Sequence, residues 1–324
     1  MKLERNDFDP KAYNPTFRWT FISPKYWGTW LGVLLSLCIA LLPLACHQWL
    51  AKTMAKYLTK SKVNSVNNIR ANLSLCFPHL SDEERKKLTY QTLYTAGVFT
   101  LRFALLWLKS PRWLQAQCKF INREQLSHLT QNGQKVILLV PHSWAIDVPA
   151  ILLASKGLPI SAMAKKQKNQ VIDWLMHRQR VQYGGRVYER SNGIKPFIKS
   201  IKEDYLGYYL PDQDHGAELS VFVDFFATTK ATLPGLSKLA KLSRSVVVPT
   251  FASINPDTGH FTIEFLPPIE YQENEHDDAR SMNKAIEYFV EKQPEQYMWI
   301  LRLLRTQPDG RNVYREMREE NKYQ

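Results

Sequence analysis

Residues 136–147 read VILLVPHSWAID, and this stretch decides the fold class. Five apolar residues in a row, closed by Pro141, are typical of a strand that is buried on both faces of a sheet. The next stretch, 148–155, is apolar and predicts a helix packed on that sheet. Between strand and helix lie a histidine, His142, and an acid, Asp147. Ligand sites of open α/β folds lie at this end of the strands.

The same alternation of strands and helices continues downstream. Short apolar runs predict strands at 186–188, 206–210, 245–252 and 260–266, and the segments between and after them predict helices at 172–183, 193–203, 233–242, 279–290 and 295–304. Proline and glycine stand at many of the boundaries, as expected for turns. We therefore predict one α/β core over 134–305, followed by a charged tail over 306–324.

An apolar segment near the N-terminus predicts a membrane anchor. Residues 26–46 carry no charged side chain over 21 positions, which matches the length of a helix that spans a bilayer. A polar leader, 1–25, precedes it. Pro43 also permits a segment that enters only one leaflet, and a buried core helix is a further alternative. Basic residues on both sides of the segment leave its orientation open.

Residues 47–133 are predicted to be helical and to lie next to the membrane. Ser81 and Glu84 have the spacing of a capping box, which starts a long helix. That helix becomes almost wholly apolar over 93–108. Such a helix suits an ordinary core position, and it equally suits the wall of an acyl-chain groove or a position on the bilayer.

The composition restricts the classes of partner. The chain has 43 Lys and Arg against 30 Asp and Glu, a net charge of +13, and 12% of its residues are aromatic. This charge favours anionic partners, and aromatic residues of this abundance are typical of membrane interfaces. We recognise no nucleic-acid-binding module and expect no nucleic-acid partner. The four cysteines have neither the spacing of a zinc site nor that of a disulfide framework.

His142 and Asp147 are candidates for a catalytic dyad. On one continuous helix they would point about 140° apart, so they can meet only where the chain bends. A carboxylate bound to one imidazole nitrogen fixes the tautomer, and the other nitrogen can then take a proton from an alcohol. The alternative is a surface histidine beside an acid that complements the dipole of a helix.

Two polar clusters follow downstream. The region 160–204 is rich in Lys and Arg and includes Arg180 and Arg190. It suits a phosphorylated substrate or an acidic carrier protein, or is simply a solvated basic face. The loop 211–216, PDQDHG, follows another predicted strand and is compatible with turn formation, with acids that orient arginines, or with a metal site. The metal alternative, which we do not favour, would use His142, Asp147, Asp212, Asp214 and His215.

Several motifs in a fixed order resemble the late acyltransferases of lipid A biosynthesis in Gram-negative bacteria. In chain order these are YWG at 26–28, NLSLCFP at 72–78, the 142–147 motif, GGR at 184–186 with Arg190, PDQDHG at 211–216, FVDFFA at 222–227 and PEQYMW at 294–299. The resemblance covers nearly the whole chain. It is strongest to the members that add the last secondary acyl chain.

The resemblance implies an α/β fold of the glycerolipid-acyltransferase type, with a mixed sheet flanked by helices. It implies that His142 is the general base and that Asp147 orients it. The base would take the proton of a 3-hydroxyl on an acyl chain of a lipid A precursor, and that oxygen would attack the thioester of an acyl–acyl carrier protein. Arg180, Arg190 and Asp212 are candidates for substrate binding. Neither a metal nor another cofactor is implied.

The resemblance also implies a place in the cell. Acyl carrier protein is cytosolic, so the catalytic domain is expected at the inner membrane and facing the cytoplasm. The transferred chain is expected to be myristoyl, with a pocket whose floor candidates are Phe99, Phe103 and Trp107. The alternatives are the earlier lauroyl-type enzyme, a glycerolipid acyltransferase and, from a different class, a non-catalytic basic protein of the membrane surface.

Overall fold

The computed structural model describes residues 9–320, so the predicted leader over 1–25 and tail over 306–324 lie partly outside the described residues. Within them the fold is α/β, as predicted. The strands are β1 (Cys118–Ile121), β2 (Lys135–Leu139), β3 (Ile160–Ala164), β4 (Gly185–Glu189), β5 (Leu206–Tyr209), β6 (Val221–Phe225), β7 (Thr228–Thr232), β8 (Ser245–Ile254) and β9 (Phe261–Phe265). The helices are α1 (Trp27–Ala40), α2 (Leu44–Leu58), α3 (Asn64–Cys76), α4 (Asp82–Arg102), α5 (Leu105–Leu108), α6 (Pro111–Ala116), α7 (Glu124–Gln131), α8 (Asp147–Ser155), α9 (Gln170–Arg180), α10 (Lys195–Lys202), α11 (Leu236–Ser243), α12 (Glu275–Lys292) and α13 (Val313–Glu320).

The main sheet has the strand order β1-β9-β8-β2-β5-β3-β4. Its neighbouring strands run parallel except β8 and β9, which are antiparallel, so the sheet is mixed. β6 and β7 form a separate antiparallel hairpin. The strand predicted at the start of the 136–147 stretch is β2, at the centre of the main sheet. Its residues 136–139 are fully buried, which explains the uninterrupted apolar run.

Side chains of β2 pack into two apolar clusters, because successive side chains of a strand point to opposite faces of the sheet. Leu138 belongs to the larger cluster together with Ile151 of α8. Leu139 belongs to the other, with Phe197 of α10 and Leu239 of α11. Burial of each such side chain contributes roughly 1.5–3 kcal/mol. The strand is therefore fixed from both sides, and so is the start of the loop that follows it.

Two helices, α1 and α2, replace the single helix predicted over 26–46. The chain bends by 120° between them at a break over 41–43. The helix is interrupted there because Pro43 has no backbone N–H to donate to a helical hydrogen bond. The buried ring of His47 lies 2.7 Å from the carbonyl oxygen of Ile39. It therefore gives a hydrogen-bond partner to a carbonyl group in the last turn of α1. Within residues 9–320, no single helix is long and apolar enough to cross a membrane, although the bent pair passes that test when taken together.

The capping box predicted at the start of α4 is confirmed. The amide of Ser81 donates to Glu84 Oε2 at 2.7 Å, and the amide of Glu84 donates to Ser81 Oγ at 3.3 Å. The apolar stretch 93–108 does not form one helix, since a turn separates α4 from α5. α4 approaches α2 at Gly97, where a Cβ atom would lie 2.9 Å from the Cβ of Ala51. The glycine therefore permits this close contact between the two helices.

The prediction of a helix over 295–304 is wrong. Pro294–Gln296 form a single 3₁₀ turn, and the chain then continues irregularly with Tyr297 fully buried. The amide of Met298 donates to the carbonyl oxygen of His142 at 2.9 Å. The backbone at Met298 is therefore hydrogen-bonded to the loop after β2 and does not form a helical turn. A contact between such distant segments cannot be predicted from local sequence patterns.

The C-terminal segment also differs from the predicted surface tail. It contains α13, which packs against α3. Tyr314 of α13 is buried, and its hydroxyl donates to Asn72 Oδ1 at 2.7 Å while accepting from the amide of Leu304 at 2.9 Å. This part of the tail therefore contributes to the core.

Candidate active site

Two central strands end side by side and bring the functional loops together. β2 and β5 are parallel neighbours, with Leu139 opposite Tyr209. The pairing extends one residue further, because the amide of Val140 donates to the carbonyl oxygen of Tyr209 at 2.8 Å. His142 and Asp212 each stand three residues after these paired positions. The register of the sheet therefore places them at the same level.

His142 and Asp212 form a hydrogen-bonded pair. The Nδ1 atom of His142 lies 2.5 Å from Asp212 Oδ1, and the backbone amide of His142 donates to Asp212 Oδ2 at 2.7 Å. Asp212 is fully buried, whereas the His142 side chain remains 12% exposed. A carboxylate in this position holds the hydrogen on Nδ1 and leaves the lone pair on Nε2. Nε2 is therefore the nitrogen that can act as a base.

Buried groups behind the pair stabilise the charged carboxylate. The hydroxyl of Tyr297 donates to Asp212 Oδ2 at 2.9 Å, and Lys230 is fully buried nearby. Burial alone would raise the pKa of Asp212, but His142, through its proximity and its two hydrogen bonds, and the Lys230 ammonium hold that pKa below its ordinary value. Burial and the adjacent carboxylate raise the pKa of Tyr297 well above its usual range, so the phenol remains a donor.

Asp147 has a different partner from the one the sequence suggested. Its Oδ1 accepts from Nε of Arg180 at 3.1 Å, whereas the carboxylate hydrogen-bonded to His142 among the described residues is that of Asp212. The chain does bend between His142 and Asp147, and the hydroxyl of Tyr208 holds this bend by donating to the carbonyl oxygen of Ile146 at 2.5 Å. The bend turns Asp147 toward Arg180 of α9, while the end of β5 supplies the acid that orients the imidazole.

Arg190 reaches the imidazole through an amide side chain. Its Nη1 donates to Gln213 Oε1 at 2.6 Å, and Gln213 Nε2 lies 3.4 Å from His142 Nε2. The structure thus brings Arg180 and Arg190, both singled out in the sequence, to the same site as His142. Gln213 was not singled out by itself, although it lies in the PDQDHG loop.

The site opens into a cavity of about 440 Å³, which we call the catalytic cavity. Its polar lining includes His142, Asp147, Arg180, Arg190 and Gln213. The apolar lining includes Ile146, Ala150, Met163, Met176, Leu210 and Met298. Asp212 does not line the cavity and lies behind the imidazole. Of the five predicted site residues, four therefore line the cavity, and the fifth, Asp212, is hydrogen-bonded to His142.

The donor set of the metal alternative is not assembled. Within residues 9–320, no group of three or more His, Cys, Asp or Glu side chains is placed to hold a metal ion. Asp147 binds Arg180, and Asp214 accepts from the amide and hydroxyl of Thr306 at 2.6 and 2.8 Å. Asp214 therefore holds the PDQDHG loop against the C-terminal segment and has a structural role.

Sequence reasoning did not single out Tyr297 and Lys230. Tyr297 lies in the PEQYMW motif, so its presence among the family-like motifs was a usable signal. Lys230 lies on β7 and resembles any surface lysine in the sequence, and no local pattern reports that it is buried. Both residues act on the site through Asp212, and neither lines the catalytic cavity.

The chain matches known proteins over most of its length. The family described as "Bacterial lipid A biosynthesis acyltransferase" matches residues 14–306. A lipid A biosynthesis myristoyltransferase of Escherichia coli is 41% identical over 96% of this chain and 96% of its own. A lipid A biosynthesis acyltransferase of Haemophilus influenzae is 39% identical over 94% and 95%. A lipid A biosynthesis lauroyltransferase of Escherichia coli is 27% identical over 91% and 97%. The protein is therefore a member of the bacterial lipid A biosynthesis acyltransferase family, whose members are acyltransferases.

Proposed function

We propose that the protein transfers a myristoyl chain from acyl carrier protein to a 3-hydroxyacyl chain of a phosphorylated lipid A precursor, as the last secondary acylation. The observation that carries this proposal is the His142–Asp212 pair, in which the carboxylate holds Nδ1 and the imidazole lines the catalytic cavity. The myristoyl step is supported by the greater identity to the relative named a myristoyltransferase than to the one named a lauroyltransferase, 41% against 27%.

The chemistry needs no nucleophile from the protein. Nε2 of His142 takes the proton of the acceptor hydroxyl, and the hydroxyl oxygen attacks the carbonyl carbon of the thioester. When the C–S bond breaks, the leaving sulfur receives the proton from the imidazolium. Asp212 stabilises the imidazolium between these two steps, since it is an ionised carboxylate bound to Nδ1. General acid–base catalysis of this kind contributes roughly 10²–10⁴ in rate.

Arg180 is proposed to bind the negative charge of a reactant. Asp147 accepts from its Nε at 3.1 Å, and in the part of the chain that the structure describes no other protein group accepts from this guanidinium. The remaining N–H groups are therefore available in the cavity. A guanidinium held in this way suits an oxyanion or a phosphate oxygen. Asp147 then acts as a positioning residue for Arg180.

An apolar cavity next to the catalytic cavity is proposed to hold an acyl chain. It has a volume of about 740 Å³ and lies between α1, the turn around Phe103 and α9, and we call it the apolar cavity. Met176 of α9 lines both cavities. Of the three floor candidates, Phe103 and Trp107 line the apolar cavity, whereas Phe99 packs in the larger core cluster.

Exposed aromatic side chains support attachment to the cytoplasmic face of the inner membrane. They are Trp19, Trp27, Trp49 and Tyr57, and exposed leucines lie beside them on α1 and in the break before α2. Indole and phenol rings favour the boundary between hydrocarbon and water. We propose that the bent pair α1–α2 enters the cytoplasmic leaflet, which would place the catalytic cavity where it meets both a lipid acceptor and a soluble carrier protein.

The test is an acyl-transfer assay with the purified full-length protein. Lauroyl, myristoyl and palmitoyl thioesters of acyl carrier protein are offered with a tetra-acylated or a penta-acylated lipid A precursor, and products are identified by mass spectrometry. We expect myristoyl transfer to the penta-acylated acceptor at the highest rate. Preference for the lauroyl donor and the tetra-acylated acceptor would assign the earlier step instead. No transfer with any pair refutes the proposal.

A further inference from the structure

A third cavity, of about 750 Å³, lies beside the catalytic cavity, and we call it the polar cleft. Its walls are the N-terminal segment 10–21, the loop that precedes α9 and the start of α10. Gln167 of that loop lines both the polar cleft and the catalytic cavity. Lys165 lines the catalytic cavity, whereas Lys166 and Lys168 line the cleft, so this one loop separates the two spaces.

The walls of the polar cleft are fixed by buried contacts. The amide of Tyr13 donates to the carbonyl oxygen of Val187 at 2.7 Å, which docks the N-terminal segment on β4. The hydroxyl of Tyr13 donates to Asp173 of α9, and the same carboxylate accepts from the amide of Gln167 at 2.7 Å. Asp173 is buried and joins two walls of the cleft. The cleft is therefore a built feature of the fold and not a gap beside a loose terminus.

The charge of the cleft favours an anion. Five cationic side chains line it against two carboxylates. Both carboxylates already have partners, since Asp173 holds the walls and Glu189 pairs with Lys166 at 2.8 Å. Within the described residues, the other four cations form no ion pair with the protein; they are Lys11, Arg18, Lys168 and Lys195. Several unpaired cations around one cavity attract phosphate or carboxylate groups.

The remaining lining suits a sugar. It presents amide and hydroxyl side chains that can both donate and accept hydrogen bonds; these are Asn14, Thr16, Gln167, Gln170 and Asn192. The cleft also lies next to the surface proposed to contact the membrane, because Arg18 lines it while the adjoining Trp19 is 82% exposed. A polar headgroup of a membrane lipid would reach the cleft without leaving the interface.

One helix borders all three cavities. α9 and the loop before it contribute Lys168 and Gln170 to the polar cleft, Arg180 to the catalytic cavity, and Ile172 and Leu175 to the apolar cavity. The catalytic cavity shares Gln167 with the polar cleft and Met176 with the apolar cavity, so it adjoins both. This arrangement matches the parts of a glycolipid acceptor and an acyl donor that must meet at one hydroxyl group.

We propose that the polar cleft binds the anionic saccharide headgroup of the acceptor, so that an acyl chain of the same lipid reaches His142. The proposal rests on the proposed function and adds the location of the headgroup and the residues that hold it. Lys168 and Lys195 supply the charge that binds phosphate, and Gln167 fixes the boundary with the reacting hydroxyl.

The test compares two matched double variants of the full-length protein. Lys168→Ala/Lys195→Ala removes two cations from the cleft, and Lys202→Ala/Lys238→Ala removes two exposed lysines that do not line it. Contacts between charges at exposed sites are individually weak. The cleft variant should therefore raise the acceptor KM roughly five- to tenfold, which corresponds to about 1–1.4 kcal/mol for the two lysines together, with an unchanged donor KM. The control should stay within about twofold of the unmodified protein.

A binding measurement separates this proposal from the proposed function. A phosphorylated glucosamine disaccharide without acyl chains is titrated into the unmodified protein and both double variants, and its affinity is measured by calorimetry. Affinity that falls in the cleft variant alone supports the cleft whether or not transfer is detected. Equal affinity in all three proteins overturns it, as does a rise in donor KM with an unchanged acceptor KM. Absence of transfer by the unmodified protein would refute only the proposed function.

Discussion

Replacement of Asp212 by asparagine tests the assignment of the orienting acid. Asp212 is fully buried and accepts three hydrogen bonds, from the amide of His142, from its Nδ1 and from the hydroxyl of Tyr297. An amide of the same shape has one oxygen for these donors and turns an NH₂ group toward one of them. Where that group faces Nδ1, the imidazole adopts the tautomer with its hydrogen on Nε2 and loses its basic nitrogen.

The expected fall in the kcat of Asp212→Asn follows from this change of tautomer. Loss of a general base lowers the rate by about 10²–10⁴, which corresponds to roughly 2.7–5.5 kcal/mol of barrier height. The same substitution in enzymes with a Ser-His-Asp triad lowers kcat about 10⁴-fold for the same reason. We therefore expect kcat of Asp212→Asn to fall at least 100-fold, with donor and acceptor KM changing little.

The matched control is Asp147→Asn. Its carboxylate binds Arg180, and both side chains are partly exposed. We expect this variant to affect the KM of whichever reactant Arg180 binds, and to lower kcat less than Asp212→Asn does. If His142 were instead oriented by Asp147, the order of the two kcat values would be reversed.

The assay measures initial rates of acyl transfer at saturating donor and acceptor for the unmodified protein and both variants, with thermal unfolding as a check of folding. Asp212→Asn that remains folded and retains kcat within tenfold of the unmodified protein would refute the orienting role. A larger fall in kcat for Asp147→Asn than for Asp212→Asn would show that Asp147 orients His142, as the local spacing suggested.

Four further outcomes follow from other contacts. Tyr297→Phe removes one donor to Asp212, so we expect about 1 kcal/mol less stability in thermal unfolding and a modest fall in kcat; no change in either would contradict this. The pKa of Asp212 is held below its ordinary value in the folded protein, so its ionisation stabilises the fold above the unfolded pKa and this contribution is lost as the pH falls through the folded value. The difference in the free energy of unfolding between the unmodified protein and Asp212→Asn should therefore stay constant from pH 7 to about 5 and shrink as the pH is lowered below about 4, whereas a difference that stays constant below about 4 would show that the carboxylate is not stabilised. Gly97→Leu forces α2 and α4 apart and should cost about 1–3 kcal/mol in chemical denaturation, with Gly28→Leu, which meets no atom within 4 Å, as the matched control. Trp27→Ser/Trp49→Ser should reduce flotation with anionic vesicles, and unchanged flotation would contradict the proposed membrane surface.

The parts of the fold that were predictable from the sequence are those that depend on local patterns. The apolar run of β2 identified a buried strand, and Ser81 with Glu84 identified the start of α4. His142, Arg180 and Arg190 were singled out because their residue types and positions suit the chemistry, and the structure brings all three to one site. Each of these predictions depended on residues that are close to one another in the sequence.

What could not be predicted depends on tertiary contacts. The acid that binds His142 lies seventy residues away, and only the pairing of β2 with β5 brings it near. The helix expected over 295–304 is absent because the site loop takes up its backbone hydrogen bonds. Lys230 is buried by the packing of β7, which its sequence context does not report. The bend at Pro43 was foreseeable as a possibility, but its angle depends on packing.

The pairing across β2 and β5 also determines when the protein becomes active during its own synthesis. The bent pair α1–α2 lies at the beginning of the chain, whereas the base, its acid and the supporting Tyr297 enter in the order 142, 212 and 297. With the membrane attachment proposed above, a nascent chain can therefore reach the bilayer long before its imidazole is oriented. The orienting acid follows the histidine by 70 residues, and Tyr297 adds the last buried donor to that acid only near the end of translation.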